Sequence, residues 1–466
     1  IMNNRLDEFN IIDWQAIDLK IEGIKNYVIR GFGRNENGKS LCLEITDFKP
    51  YFYIQFDKEI LDEEWSLILE QMKSLIKIPD YEENKIKNLR LTEDEEDEER
   101  NKLINAYEEI IENEYSGKIK CNKKLFKYFR NDKEELYYKL EFKTKRAFNL
   151  FKKLFNIEEI KFKQNGQEYQ WKIEIFESNI DPLLRFFHKQ DLDSSGWIKI
   201  KSFVKKTGFK FSRCDYEYRC SYYNVIKIIK PIIAPFLVAS FDIECSSDDG
   251  SFPIPERDKI IQIGTTIHRH GEKEPFEHCM ITLGPCDDLD KDTNIQNGLL
   301  IICKDEIELL LKWRDYIQGL DPDIITGYNI WGFDWDYMIR RARVLKKYRN
   351  NSGNYVKVID DFLKLSRITY ETSRFVEKSL SSSALGDNIL KYVDITGVVQ
   401  IDLLKLAQKD YNLDSYKLTN VSASFLQGKV NIESESVIKT DSVDGLFVGN
   451  QISLVDQYEN KVSDGY

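Results

Sequence analysis

The sequence feature that most constrains the fold is a nearly continuous run of apolar residues at 235–243. Such a run is typical of a strand that is buried on both faces of a sheet. Its end carries Asp242 and Glu244, and because side chains two residues apart in a strand point to the same face, both carboxylates are expected to emerge together. Two fixed carboxylates repel each other unless a cation lies between them. A loop cap or a lysine partner would also explain the pair.

The pattern after this strand predicts a mixed sheet flanked by helices, which is an α/β architecture. Further strands are predicted at 259–268, 278–283, 323–327 and 392–402, and helices at 305–318, 335–348, 402–410 and 418–426. Residues from 430 onward are polar and poorly patterned. Residues 231–466 are therefore predicted to form one domain.

The first part of the chain, residues 2–230, is predicted to be an α+β domain. Strand-like segments occur at 26–32, 41–45, 51–56, 137–142 and 171–176, and helical segments at 63–76, 99–112 and 144–155. The character of the sequence changes at residues 230–231, shortly before the long apolar run begins at residue 235. We predict the domain boundary at this point.

The charge distribution separates a basic part of the first domain from an acidic remainder. The net charge is −11, but residues 116–172 contain 16 Lys or Arg against 7 Asp or Glu, and residues 199–230 contain 9 against 2. Aromatic residues are interleaved with these basic residues. Bases stack on such rings while lysines neutralise phosphates, so DNA contacts are predicted at Lys123, Lys124 and Lys127. The alternative is an aromatic core beneath an ordinary lysine surface.

One segment matches the sequence of a phosphate-binding motif but not the secondary structure that the motif requires. Residues 33–40, GRNENGKS, fit GxxxxGK[ST], but that loop requires a helix directly after it. The residues after Lys39 instead alternate between apolar and polar, which is strand periodicity, and Asn37-Gly38 is typical of a hairpin turn. A β-hairpin is predicted here rather than a nucleotide site.

Cysteine and histidine usage restricts the class of metal site. The eight cysteines form no CxxC pair, which is typical of a reduced intracellular protein. The chain has only four histidines, so any metal is expected on carboxylates. The longest apolar stretch is too short to cross a bilayer, and no membrane association is predicted.

A second acidic position lies in the segment 324–334, IITGYNIWGFD. A short buried strand is predicted to break at Gly327, and Asp334 is predicted to open the next helix, where an Asp also suits an N-cap. If this strand neighbours the first apolar strand, Asp334 faces Asp242 and Glu244 across one sheet edge. Three carboxylates there could hold two Mg²⁺ ions about 3.5–4 Å apart, which activate a water and stabilise a leaving 3′ oxygen. The substrate would then be a phosphodiester.

Several segments together resemble the family B DNA polymerases, most closely the delta-type eukaryotic and large-virus enzymes. The segments are FDIEC (241–245) with FPIPERD (252–258) and IIQI (260–263), DPDIITGYN (321–329) with FD (333–334), and SYKL (415–418) with VS (421–422) and FL (425–426). The first two groups resemble the family's first and second exonuclease motifs. Weaker likeness extends to KPYFY (49–53), LRF (184–186) and GWI (196–198). The resemblance therefore covers nearly the whole chain.

The resemblance implies a ribonuclease H-like 3′→5′ proofreading exonuclease domain at 231–466, beside the N-terminal domain of a polymerase at 2–230. The implied parent is a replicative DNA-directed DNA polymerase, with exonucleolytic hydrolysis of DNA at a mismatched 3′ end. Expected partners are primer–template DNA, a single-stranded 3′ end, the remaining polymerase domains and a sliding clamp. Abundant Lys, Asn and Ile with scarce Pro favour an AT-rich genome. A large DNA virus is therefore expected, replicating inside its host cell or nucleus.

The resemblance also assigns roles to individual residues. Asp242, Glu244 and Asp334 would be the catalytic residues and would bind two Mg²⁺ ions, with Mn²⁺ as a possible substitute. Asn329 and Phe333 would lie near the frayed 3′ end of the DNA, although both also suit a purely structural role. Asp402 resembles a recurrent position of the family, and we interpret it as structural.

The family's third exonuclease motif, a Tyr followed four residues later by an Asp, has no match after Phe425. Tyr458 is followed at that distance by Val462, and polymerase signatures such as YGDTD do not occur. The sequence is therefore expected to end before the third motif and to lack the palm, fingers and thumb domains. Two alternatives to an active nuclease stay open, a non-catalytic module that binds DNA or scaffolds the polymerase, and a free-standing exonuclease.

Overall fold

The structure is a computed structural model that describes most of the chain. The described residues are 6–89, 92–125, 134–157, 159–164, 167–206, 208–287, 298–382, 386–426, 430–434, 437–440, 452, 454–455 and 461–463. Among the predicted site residues, Lys127 lies outside these ranges.

The strands, in chain order, are β1 (Glu8–Ile21), β2 (Ile24–Arg34), β3 (Ser40–Thr46), β4 (Tyr51–Phe56), β5 (Tyr115–Lys123), β6 (Glu135–Phe142), β7 (Glu159–Gln164), β8 (Gln167–Phe176), β9 (Gly196–Ile200), β10 (Val204–Lys205), β11 (Tyr216–Ser221), β12 (Val225–Lys227), β13 (Leu237–Ser246), β14 (Lys259–Arg269), β15 (Glu277–Leu283), β16 (Gly298–Cys303), β17 (Ile324–Gly327), β18 (Lys347–Arg349), β19 (Tyr355–Lys357), β20 (Arg374–Ser382), β21 (Gly386–Asp394), β22 (Val399–Asp402), β23 (Val430–Ser434), β24 (Val437–Thr440), β25 (Leu454–Val455) and β26 (Lys461–Ser463).

The helices are α1 (Asp62–Ser74), α2 (Asp80–Asn88), α3 (Glu93–Glu114), α4 (Lys145–Leu154), α5 (Pro182–Gln190), α6 (Glu306–Leu320), α7 (Asp334–Val344), α8 (Val358–Phe362), α9 (Leu403–Asp410) and α10 (Leu418–Leu426). None of these described helices combines the length and the apolar character that are needed to cross a bilayer. Together with the strands they form a mixed α/β structure that contains several sheets.

The first half of the chain forms two sheets. A seven-stranded sheet has the order β10-β11-β3-β2-β1-β9-β12, and a five-stranded sheet has the order β5-β6-β4-β8-β7. The hairpin predicted at 33–40 is present, because β2 and β3 pair antiparallel and Gly38 occupies the turn with φ 75°. A strand rather than a helix therefore follows Lys39, which excludes the phosphate-loop geometry.

Among the described residues of the first basic segment, most aromatic side chains lie in the core. Thr144 caps α4 by accepting a hydrogen bond from the Ala147 N–H at 3.1 Å, and Phe148 and Phe151 face the five-stranded sheet, where Tyr138 is also buried. These rings cannot stack on bases in the folded chain, so the alternative of an aromatic core holds for them. In the second basic segment the structure leaves Phe209 and Tyr223 exposed.

The second half of the chain is built on a six-stranded mixed sheet with the order β16-β15-β14-β13-β17-β22. β13 pairs antiparallel with β14 and parallel with β17, with Val238 opposite Ile324. The two strands that carry the predicted acidic motifs are therefore neighbours. α6 and α7 pack on one face of the sheet, where Phe241 lies between Trp313 and Trp335 with ring centroids 5.1 Å from each.

β13 is not buried on both faces, which corrects the prediction from its apolar run. Phe241 and Ile243 are buried under the helices, whereas Asp242 and Glu244 point to the opposite, exposed face. Within the described part of the chain, that opposite face borders an open cavity of about 360 Å³ beside Asp242. The apolar run therefore follows the ordinary alternation of a strand with one buried face, and its open face carries Val238, Ser240, Asp242 and Glu244.

Three further details differ from the prediction. The segment predicted as one strand at 392–402 is divided into β21 and β22 by a turn at Gly397, where φ is 81°. β21 pairs with β20 in a separate two-stranded hairpin, which the local sequence pattern did not indicate. β16, which pairs parallel with β15 at the edge of the central sheet, was likewise not predicted.

A buried charge cluster joins the seven-stranded sheet to the start of β17. Arg34, the last residue of β2, contacts the fully buried Asp323 carboxylate and donates to the Asp321 carbonyl at 2.6 Å. Arg367 donates to the carboxylates of Asp321 and Asp323, both at 2.8 Å, and Asp323 accepts from the Leu237 N–H at 2.8 Å. The cluster ties the beginnings of β13 and β17 to the N-terminal half.

Candidate active site

The first part of the candidate site is the end of β13. Asp242 and Glu244 are both exposed and alternate with the buried Phe241 and Ile243, as the period of a strand requires. The pairing of β13 with β14 is irregular directly after Glu244. Rigid packing of the buried neighbours therefore fixes the backbone from which both carboxylates project.

Asp334 reaches the same edge through the connection that follows β17. At Gly327 an added Cβ would stand 2.5 Å from the carbonyl oxygen of Phe241, so only glycine allows this approach of the two strands. Asn329 then adopts a left-handed backbone with φ 64°, and its carbonyl accepts a hydrogen bond from the Gly332 N–H at 2.9 Å. This turn places Asp334 at the first position of α7.

The structure brings the carboxyl groups of Asp334 and Asp242 together, and we call these two residues the carboxyl pair. Asp334 is only 1% exposed, and its Oδ1 accepts a hydrogen bond from the Ile243 N–H at 3.3 Å. Burial, followed by the negative charge and the hydrogen bond of Asp242, raises the pKa of Asp334 to about 8. A buried carboxyl that is held beside a second carboxyl is typical of catalytic and metal sites.

Glu244 does not join the pair. Within the described residues, no group of three His, Cys, Asp or Glu side chains is close enough to hold a metal ion. Glu244 nevertheless shares the exposed face of β13 with Asp242, two residues away.

The donor set fits a hard divalent cation. Carboxylate oxygens are the ligands that Mg²⁺ and Mn²⁺ prefer, and the raised pKa of Asp334 marks a place where a positive charge would relieve repulsion. The neighbouring Cys245 offers no competing thiolate, because burial raises the pKa of its thiol to about 12. The pair is therefore suited to an oxygen-ligated metal.

Two aromatic side chains lie next to the start of α7. The ring of Phe333 meets the ring of Phe252 edge-on with centroids 5.7 Å apart, and Phe252 is 75% exposed. Phe252 belongs to the FPIPERD segment, in which no local pattern gave it a role of its own. Its proximity to Phe333 only becomes visible in the tertiary structure.

The two described lysines among the predicted DNA contacts lie elsewhere in the fold. Lys123 is the last residue of β5 in the five-stranded sheet, and its Nζ lies 5.0 Å from the centre of the Tyr53 ring. Lys124 follows it and is exposed. Neither lysine is part of the central sheet that carries the carboxyl pair.

The structure gives Asp402 a larger role than its position in the sequence suggested. Asp402 ends β22 and is 1% exposed. Its carboxylate accepts hydrogen bonds from the N–H groups of Asn329, Trp331 and Leu404 at 2.9–3.0 Å. Two of these donors belong to the turn that leads to Asp334, a contact between distant segments that no local pattern could reveal.

Comparison with known proteins gives a family for this chain. The family described as "DNA polymerase family B, exonuclease domain" matches residues 173–421. This range is more than half of the chain, and it contains Asp242, Glu244, Asp334 and Asp402.

Individual relatives agree with this match. A DNA polymerase of Pyramimonas orientalis virus is 28% identical over 97% of this chain and 44% of its own length. A DNA polymerase of Acanthamoeba polyphaga mimivirus is 30% identical over 91% of this chain and 26% of its own length. The DNA polymerase delta catalytic subunit of Drosophila melanogaster is 30% identical over 90% of this chain and 35% of its own length. This chain spans less than half the length of each of these relatives.

One solved structure, that of the family B DNA polymerase from the hyperthermophilic archaeon Pyrobaculum calidifontis, covers 75% of this chain and 36% of that chain, with a TM-score of 0.41 and 16% identity. The assignment rests on the sequence matches, which confirm the resemblance read from the motifs. The chain belongs to the family B DNA polymerases, and residues 173–421 match the exonuclease domain of that family.

Proposed function

We propose that this chain contains the N-terminal and proofreading parts of a replicative DNA polymerase, and that its central sheet has a ribonuclease H-like fold. The proposed reaction is the Mg²⁺-dependent 3′→5′ hydrolysis of DNA phosphodiesters at a mismatched 3′ end. The observation that carries the proposal is the carboxyl pair, in which Asp334 is buried beside Asp242 within the matched exonuclease region.

Asp242, Glu244 and Asp334 would hold the metal ions. Bound divalent cations supply an activated water and offset the charge on the departing 3′ oxygen. The protein contributes the placement of the ligands, since β13 and β17 are neighbouring strands and Gly327 allows their close approach. Because Asp334 is buried with a raised pKa, a cation at the pair would favour loss of its proton.

The exposed ring of Phe252 beside Phe333 supports the binding of an unpaired 3′ end. A base can stack on an aromatic face with little dependence on sequence, so these rings would hold a frayed end near the carboxyl pair. Asn329 lies in the same turn. In the N-terminal half, Lys123, Lys124 and Lys127 are proposed to contact the phosphates of the DNA.

The whole protein is proposed to act on primer–template DNA together with palm, fingers and thumb domains, and with a sliding clamp as a partner. The viral and eukaryotic relatives support a role in intracellular DNA replication, with a viral replication site as the proposed location. DNA synthesis itself would belong to domains outside this sequence.

The first prediction is that Asp242→Ala abolishes excision. A primer with a mismatched 3′ end is incubated with Mg²⁺ and with this chain, or with a longer chain that continues it, and the shortened products are separated by gel electrophoresis. We expect no shortened products above background, because a metal ligand is removed. Lys58→Ala, a surface substitution in the N-terminal half, is the matched control and is expected to leave the rate unchanged.

A second candidate is a non-catalytic module that binds DNA or scaffolds the polymerase, since no described group of three His, Cys, Asp or Glu side chains includes Glu244 with the carboxyl pair. If the longer chain excises the mismatched end and this chain does not, the site of this chain is incomplete. Absence of excision from both chains, with retained binding of single-stranded DNA, would leave the binding module as the function.

A further inference from the structure

The exonuclease site depends on how the turn after β17 is held in place. In this turn the Asn329 carbonyl accepts hydrogen bonds from the N–H groups of Gly332 and Phe333, both at 2.9 Å. These bonds close the turn on itself, but they do not fix it to the sheet. The N–H groups of Asn329 and Trp331 are left to bond outside the turn, and both bond to Asp402.

We propose that Asp402 is a positioning residue of the exonuclease, whose carboxylate fixes the turn that brings Asp334 beside Asp242. This inference rests on the proposed function and goes beyond it, because Asp402 is not one of the three proposed metal ligands. Asp402 lies opposite Gly327 in the parallel pairing of β17 with β22. It therefore stands next to the point where β17 ends and the turn begins.

The burial of Asp402 makes the contact rigid. The side chain is 1% exposed, and the three hydrogen bonds to backbone N–H groups measure 2.9–3.0 Å. Hydrogen bonds to a charged acceptor are stronger than those between neutral groups. The backbone of Asn329 has φ 64°, a left-handed conformation that asparagine tolerates better than most residues, and the hydrogen bond from its N–H to Asp402 helps to hold it.

A purely structural role is the competing explanation, because Asp402 also caps α9 through the Leu404 N–H. The two carboxylate oxygens of Asp402 accept hydrogen bonds from different groups. Oδ1 accepts from Leu404 and Asn329, whereas Oδ2 accepts from Trp331 alone. In Asp402→Asn the remaining oxygen can keep the cap. The new amide NH₂ group would face the Trp331 N–H, and because both groups are donors, this hydrogen bond is lost. This variant therefore separates the cap from the turn.

Asp305→Ala is the matched control. Asp305 is the N-cap of α6 and accepts a hydrogen bond from the Glu308 N–H at 2.9 Å, so its loss removes a helix cap in the same half of the chain. None of its described hydrogen bonds reaches the 327–334 turn. If Asp402 is only a cap, Asp402→Asn disturbs the turn and the metal site no more than Asp305→Ala does, because its remaining oxygen keeps the cap.

The test measures the binding of Mn²⁺ alone by electron paramagnetic resonance, together with hydrogen exchange of the amides at 327–334. Asp402→Asn is expected to weaken Mn²⁺ binding by about 10–100-fold, the usual effect of losing a group that orients metal ligands. It is also expected to speed exchange of the turn amides. Asp305→Ala is expected to leave both readouts as in the unchanged chain, and thermal unfolding verifies that all variants are folded.

The outcomes distinguish this inference from the proposed function. If Mn²⁺ binds and Asp242→Ala abolishes it, but Asp402→Asn binds Mn²⁺ as tightly as the unchanged chain, Asp402 does not position the site and the proposed function stands. Equal losses in Asp402→Asn and Asp305→Ala also overturn the inference. If Mn²⁺ does not bind, or binds regardless of Asp242, the proposed metal site fails and this inference fails with it.

Discussion

At the scale of single residues, the carboxyl pair has a consequence for stability. Asp334 keeps its proton in the folded, metal-free chain up to a pKa of about 8, because burial and Asp242 oppose its charge. In the unfolded chain the same carboxyl ionises near pH 4. Between these values the folded state binds the extra proton, so this group lowers the stability of the fold as pH rises.

We therefore predict that Asp334→Asn raises the melting temperature of the metal-free chain, with no gain at pH 4 and the largest gain at pH 8. Each kcal/mol gained is expected to raise the melting temperature by about 2–4 °C. Circular dichroism measured in chelator at several pH values provides the comparison. Glu244→Gln, at an exposed position outside the pair, should change little. A gain of the same size at every pH would contradict the assigned cause.

At the scale of secondary-structure elements, the approach of β17 to β13 is decided at Gly327. A methyl group there would lie 2.5 Å from both the Phe241 carbonyl oxygen and the Ile330 Cγ2. Neither atom can move freely, because Phe241 belongs to a central strand and Ile330 is fully buried. The geometry of the carboxyl pair thus depends on the lack of a side chain at Gly327.

Gly327→Ala is predicted to destabilise the chain by about 1–3 kcal/mol, as is usual when a packed interior receives an extra group. It should also slow excision, because the end of β17 carries the turn to Asp334. Gly319→Ala in α6 is the control, since nothing lies within 4 Å of its added Cβ and alanine favours a helix. Urea unfolding of both variants tests the contrast, and equal midpoints would refute it.

At the scale of the whole molecule, buried charges rather than apolar contacts alone join the two halves. Arg34 meets Asp323, and Arg367 meets the same carboxylate, so one acidic group is shared by two segments that are distant in sequence. A second buried cluster links Arg30 to Glu44 and Glu371. A buried ion loses much of its stabilisation when a partner is removed, because the remaining charge cannot reach water.

Arg34→Met is predicted to lower the free energy of unfolding by about 1.5–3 kcal/mol, the range for a hydrogen bond to a charged group, since Asp323 keeps Arg367. The exposed ion pair of Arg374 with Asp394 provides the control. Arg374→Met should change the free energy by less than about 1 kcal/mol. Denaturant midpoints measure both, and a loss no larger for Arg34 than for Arg374 would show that the cluster does not stabilise the junction.

The sequence by itself determined the local elements and the candidate carboxylates. The hairpin at Asn37-Gly38, the strand that ends in Asp242 and Glu244, and the helix that begins at Asp334 follow from turn residues and periodicity, which act over a few residues. The order of the motifs along the chain likewise indicated the family. Local chemistry is sufficient for these features, because hydrogen bonds within a helix or a turn join near neighbours.

Only the tertiary structure decided which of these elements meet. It made β17 the neighbour of β13, placed Asp334 but not Glu244 against Asp242, and brought Asp402 to the turn that precedes Asp334. It also showed that most described aromatic rings of the first basic segment belong to the core rather than to a DNA-binding surface. These outcomes depend on contacts between residues that are far apart in the chain, and they are set by packing and burial, which no short stretch of sequence encodes.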